Sequence, residues 1–190
     1  ASTKLMNPLH TVWVDLMPLL PGGSNGGAKP FVLKLLQGLA NQQPQTEFIA
    51  TCRSNSLSSL QPLASNNLRV TVKKRWSNDC PHGAQLLFCP FGAANLRPKG
   101  LPIVSVFYDL QYLKYPMFFN RATRKQRHRN FQQQRRQSKR IAAISEYAKQ
   151  EAIHHGMKPE QIITIPIRLP DSPQAQQERT TAKAHCDPYF

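Results

Sequence analysis

The chain has 190 residues, 40% hydrophobic and 8% aromatic, which is room for one domain with a real core. Its 25 Lys and Arg against 10 Asp and Glu give a formal net charge of +15. That balance points to an anionic partner, whether nucleic acid, a membrane face or a phosphate-bearing substrate, although a well-solvated basic face also accounts for it. No run of about 18 apolar residues occurs, which argues against a transmembrane helix, and ASTKLMNPLH at the start lacks the apolar stretch of a signal peptide. The cysteines, Cys52, Cys80, Cys89 and Cys186, form no C-x-x-C pair, so a zinc ribbon or redox motif is not indicated. Scattered in this way they fit a reducing compartment, and the expected location is cytoplasmic.

In chain order, residues 10–16 (HTVWVDL) read as a buried strand. A Gly/Pro loop follows. FVLKLLQGLA then places Phe31, Leu35 and Leu39 on one helical stripe, with Val32 and Leu36 beside it. Residues 46–52 read as a second strand, SNSLSSLQPLA as a short helix ended near Pro62, and residues 68–72 as a third strand. KKRWSNDCPHG is loop; residues 84–90 and 101–109 are apolar strands. A helix over 121–139, a short sixth strand in RIAAIS, a helix over 146–155 stopped by Gly156 and a seventh strand over 161–167 complete the pattern. Near-continuous apolar strands alternating with helices predict a parallel sheet covered on both faces, a doubly wound α/β domain of Rossmann type. From about Arg168 the sequence turns polar and aperiodic. The expected organisation is therefore one domain over 1–167, then a linker over 168–190 leading toward a further domain.

In such sheets ligands bind at the carboxyl ends of the strands, where GGSNGGAK (22–29) and Asp109 both fall. The loop is neither a Walker A motif nor G-x-G-x-x-G: its lysine is one place late and is followed by Pro30. Glycines there let the backbone approach an anion at a helix start; an unliganded flexible loop is the plainer alternative. Asp109 can accept a hydroxyl proton or orient a sugar hydroxyl, or simply cap the next turn. Tyr108, Tyr112 and Tyr115 flank it and can stack on a substrate or pack in the core. Beyond it no acidic residue occurs until Glu146, while Arg121, Arg124, Lys125, Arg127, Arg129, Arg135, Arg136, Lys139 and Arg140 accumulate. Only Ala122 and Phe131 offer this helix clear apolar contacts, so most of it is expected to face solvent. Anionic lipid and nucleic acid both attract such a surface, but no nucleic-acid-binding module or interleaved aromatics accompany it. Ser145 is placed to cap the helix that starts at Glu146. The histidines show no ligand spacing, so no metal is expected.

Taken together, GGSNGGAK, LPIVSVFYDLQYLKYPMFF, RIAAISEYAKQEAIHHG and MKPEQIITIPI resemble the N-terminal domain of family 4 glycosyltransferases, which have the GT-B fold. Each motif is loose alone; their order and spacing are more specific, and the likeness spans about residues 10–166. The resemblance implies transfer of a sugar from a nucleotide sugar to a glycan or lipid-linked acceptor, as in polysaccharide biosynthesis, with retention of configuration and no required metal or cofactor. It implies that Gly26 and Gly27 approach the donor diphosphate or sugar, that Asp109 acts near the reacting carbon, and that Asn25, Tyr108, Tyr112 and Ser145 lie on the acceptor side. Many members carry His where this chain has Tyr108. The family's paired C-terminal glutamates and phosphate-binding Arg or Lys have no counterparts here, so the chain alone is expected to fold without turning over. Arg124, Arg127, Arg135 and Arg136 are then expected to contact an anionic surface, a peripheral membrane in preference to nucleic acid. A basic α/β nucleic-acid- or anion-binding module without catalysis, or a fragment that keeps only the fold, is the competing expectation.

Overall fold

A computed structural model of the chain describes residues 9–23, 25–74, 80–96 and 100–166. The linker read at 168–190, Cys186, His185 and the end of the seventh predicted strand lie outside the described residues, as does part of the loop after the third. Among the described residues seven strands form one parallel sheet. They are β1 (Thr11–Asp15), β2 (Glu47–Cys52), β3 (Leu68–Val72), β4 (Leu86–Cys89), β5 (Ile103–Phe107), β6 (Arg140–Ala143) and β7 (Ile162–Thr164). Their order is β3-β2-β1-β4-β5-β6-β7, every neighbouring pair parallel. This is the Rossmann-like α/β architecture expected from the apolar runs. Interior β1 is buried along its whole length, whereas edge strand β3 alternates from its buried first residue, as the difference between a two-sided and a one-sided environment requires.

The helices are α1 (Ala28–Gln42), α2 (Gln111–Lys114), α3 (Arg121–Gln137) and α4 (Glu146–His154). SNSLSSLQPLA forms two short 3-10 segments, Ser54–Ser59 and Gln61–Leu63, in place of the expected helix. Pro62 sits inside the second; it stiffens the turn but cannot donate to an α-helical ladder. Helix α4 ends as expected at Gly156, whose φ of +94° suits glycine.

The connections from β1 to β2 and β3 step one way along the sheet, and those from β4 to β7 step the other. Right-handed crossovers therefore place them on opposite faces. On the first face Val12, Val14, Phe48 and Ala50 pack beneath Val32 and Leu36 of α1. On the second, Phe107, Ile141 and Ala143 pack against Phe131 of α3 and Ala148 and Ala152 of α4. The stripe expected on α1 is displaced: its buried face is Val32, Leu36 and Ala40. Phe31, Leu35 and Leu39 instead overhang an apolar groove of about 600 Å³ where the first face runs on under Phe88, Val104 and Ala142. Helix α3 also differs from expectation. Ala122 is exposed, and the helix is anchored by Phe131 and the polar Gln134.

Candidate functional site

Strand order reverses at β1, which pairs with β2 on one side and β4 on the other. Such a switch point opens a crevice at the carboxyl ends of the strands. Three segments meet there: the glycine loop after β1, Phe91–Ala93 after β4, and Tyr108–Leu110 after β5. Asn25, Ala28, Gly92, Tyr108, Asp109 and Tyr112 line a crevice of about 420 Å³, which Arg127, Asn130 and Gln134 of α3 close from the side.

The glycine loop is held from within. Asn25 accepts a hydrogen bond from the Leu20 amide at 2.7 Å and donates to the Pro18 carbonyl at 3.1 Å. Lys29 folds back, its Nζ donating to the Gly22 carbonyl at 3.0 Å and lying 3.3 Å from Ser59 Oγ. Gly26 has φ +53°, a conformation that suits glycine, whereas Gly27 caps α1 with an ordinary φ of −63°. A Cβ added at Gly27 would meet nothing within 4 Å; glycine there suits the N-cap position rather than any close packing.

Asp109 accepts a hydrogen bond from the Gln111 amide at 3.1 Å and so caps the turn into α2. Its Oδ1 also lies 3.8 Å from Arg127 Nη1. Both side chains are partly exposed, so this pair adds little to stability but sets the polarity of the crevice mouth. The Arg127 guanidinium lies over the Phe119 ring, 4.7 Å from its centroid, which holds the cation beside the carboxylate. The Tyr108 hydroxyl donates to the Pro90 carbonyl at 2.7 Å, and its ring meets Phe31 edge-on. Burial pushes its phenol well above the ordinary range. Burial also raises the Tyr112 phenol, against the opposing pull of Arg127; its oxygen is 3.3 Å from His128 Nδ1.

The fold thus gathers Asn25, Tyr108, Asp109 and Tyr112 into one crevice; from the glycine loop Asn25 and Ala28 line it, whereas Gly26 and Gly27 between them do not. Ser145 does not line it. Its Oγ accepts from the Ala148 amide at 3.1 Å and caps α4. The four arginines singled out in sequence do not share one surface. Arg127 lines the crevice, Arg124 a neighbouring cleft, and Arg136 a third, while Arg135 donates to the Gly156 carbonyl at 3.3 Å.

Two residues escaped the sequence reading. Asp15, at the end of β1, is 1% exposed. Its carboxylate accepts from the Met17 amide at 3.0 Å, the Leu96 amide at 2.9 Å and the Asn95 amide, tying the loop after β4 to β1. Burial holds its carboxyl above the ordinary value, outweighing those three hydrogen bonds, and its charge adds to the burial that raises the Cys89 thiol. Gln134 donates to Ser105 Oγ at 2.9 Å and the Val106 carbonyl at 3.0 Å. Its signal was available, since Arg127, Phe131 and Gln134 recur at helical spacing on one face.

No protein-family profile matches the chain, and no curated protein does. Solved structures match its fold. The crystal structure of Anabaena Alr3699/HepE in complex with UDP and glucose aligns with a TM-score of 0.55 at 12% identity, covering 92% of this chain and 51% of that one. The same protein in complex with UDP-glucose gives 0.55 at 12%, covering 92% and 50%. A crystal structure of UDP-N-acetylglucosamine 2-epimerase gives 0.50 at 12%, covering 83% and 46%. The chain spans about half the length of the structures it matches. At such identity the likeness establishes the fold, a Rossmann-like α/β domain.

Proposed function

We propose that the chain is the acceptor-side domain of a retaining glycosyltransferase, which moves a sugar from a nucleotide-sugar donor to a glycan or lipid-linked acceptor. The observation that carries this reading is the single crevice that unites the glycine loop with the strand-end acid Asp109 at the switch point. Support also comes from the fold, shared with a protein that holds UDP-glucose. In this reading the donor diphosphate approaches Gly26 and Gly27. The bond from the anomeric carbon to the phosphate oxygen breaks as the acceptor oxygen attacks from the same face, and the acceptor proton passes to the departing phosphate. Asp109 positions hydroxyls of the sugar or acceptor near that carbon. Charge developing on the phosphate needs stabilisation from donors fixed in advance.

The test is nucleotide release from a panel of nucleotide sugars by the product of the parent gene. Asp109→Asn is expected to lower kcat by about 100-fold, the scale of lost positioning, with the fold intact. Gly27→Ala is expected to weaken donor binding while changing stability by less than about 1 kcal/mol. Undiminished turnover in Asp109→Asn would remove that residue from the reaction. Turnover of no donor would leave a basic binding domain with Asp109 as a turn cap.

A further inference from the structure

The segment joining α2 to α3 exposes large apolar side chains where a folded protein usually hides them. Met117 is 74% exposed and Phe118 77%, with Tyr115 at 44%, Leu113 at 38% and Tyr147 of α4 at 59%. These residues adjoin one another. The Tyr115 and Phe118 rings lie 6.3 Å apart, and Lys114 Nζ bonds the Tyr147 hydroxyl at 2.7 Å while sitting over its ring. A contiguous apolar patch of this kind marks an interaction surface.

Its border is cationic. A cleft of about 530 Å³ beside it is lined by Tyr112, Leu113, Arg121, Arg124, Lys125 and His128. Arg121, Arg124, Lys125 and His128 follow helical spacing and so share one face of α3, and no acidic residue lies between Asp109 and Glu146.

We infer that this surface docks the protein on an anionic lipid bilayer, with Met117 and Phe118 entering the acyl boundary and the cleft taking lipid phosphates. The two halves match a bilayer surface, which is apolar beneath and anionic above. A single-stranded nucleic acid fits less well. It needs flat stacking platforms, whereas Met117 and Leu113 offer none and the two rings tilt against each other by 47°. The inference is independent of the transfer reading. If that reading holds, Tyr112, which lines both the cleft and the crevice, places the site within reach of an acceptor carried by the membrane.

The test is flotation of the chain with vesicles of phosphatidylcholine alone and with about one-third phosphatidylglycerol, a composition that sets up an anionic surface. Binding is expected only to the anionic vesicles, falling as salt is raised. Met117→Ser with Phe118→Ser is expected to weaken it by about tenfold or more, from lost apolar burial. Arg124→Gln with Lys125→Gln is expected to weaken it by about fivefold per cation. Circular dichroism of each variant should match the parent, because these side chains are exposed. In Phe118→Trp the indole emission should shift to the blue on anionic vesicles. Unchanged binding after the serine substitutions would overturn the inference. So would absence of vesicle binding, including the case where the chain retains an oligonucleotide or an acidic protein instead.

Discussion

Asp15 is a carboxylate spent on architecture. Three backbone amides from two loops converge on it, and a buried donor left without an acceptor costs about 1–3 kcal/mol. Asp15→Ala should therefore lower unfolding free energy by about 3 kcal/mol, read from urea denaturation. Because burial raises its folded-state value above the ordinary 3.8, the folded chain holds that proton more tightly than the unfolded one. The stability this titration contributes is then largest below 3.8 and declines as pH rises through the folded value. Urea midpoints across the acid range should show the parent's advantage over Asp15→Ala shrinking with rising pH; an advantage that grew would contradict the assignment. The contrast with Asp109 explains what could be read beforehand. Both acids close an apolar run, but Asp109 is followed by aromatics and a long acid-free stretch that set it apart. Asp15 passed as one more letter of a strand, because its partners, Asn95 and Leu96, lie some eighty residues away.

At the scale of elements, strands and long helices were legible because burial on two faces writes itself as unbroken apolar runs and the helices carry their stops. Ser145 shows the same economy: its residue type and its place before Glu146 announce a cap, and the cap is formed. Ser145→Ala should lower stability by about 1 kcal/mol. A thermal melt checks this, and a neutral result would mean that the Ala148 amide finds another acceptor. What could not be read was the direction of each helix's apolar stripe. For α1, Phe31 and Leu39 are as apolar as Val32 and Leu36, and only the sheet's connectivity decides which set is roofed. Once the crossovers have used one face over β1–β3 and the other over β4–β7, the first face keeps its groove.

At the scale of the whole molecule, basic charge is concentrated rather than spread. It follows α3, where one side meets the crevice through Arg127 and another meets the exposed apolar segment through Arg121 and Arg124. Composition announced the charge. The exposure of Met117 and Phe118 needed the fold, because PMFF in sequence reads equally well as core.

The sheet order also sorts the core by chain position. The buried residues of the cluster under α1 run from Val12 to Leu68, and those of the cluster under α3 and α4 run from Phe107 to Ile162. Between them, Trp13, Leu87, Cys89 and Ile103 form a third, smaller cluster. Apart from Leu86, Phe88 and Phe91, which pack partly buried against the first cluster from across the β1–β4 seam, the two larger clusters draw on separate stretches of chain. Native-state hydrogen exchange should resolve two cooperative opening units, with amides of β1–β3 and α1 in one and those of β5–β7, α3 and α4 in the other. A single opening free energy for both would mean that the β1–β4 pairing, as extensive as that of β4 with β5, couples the whole.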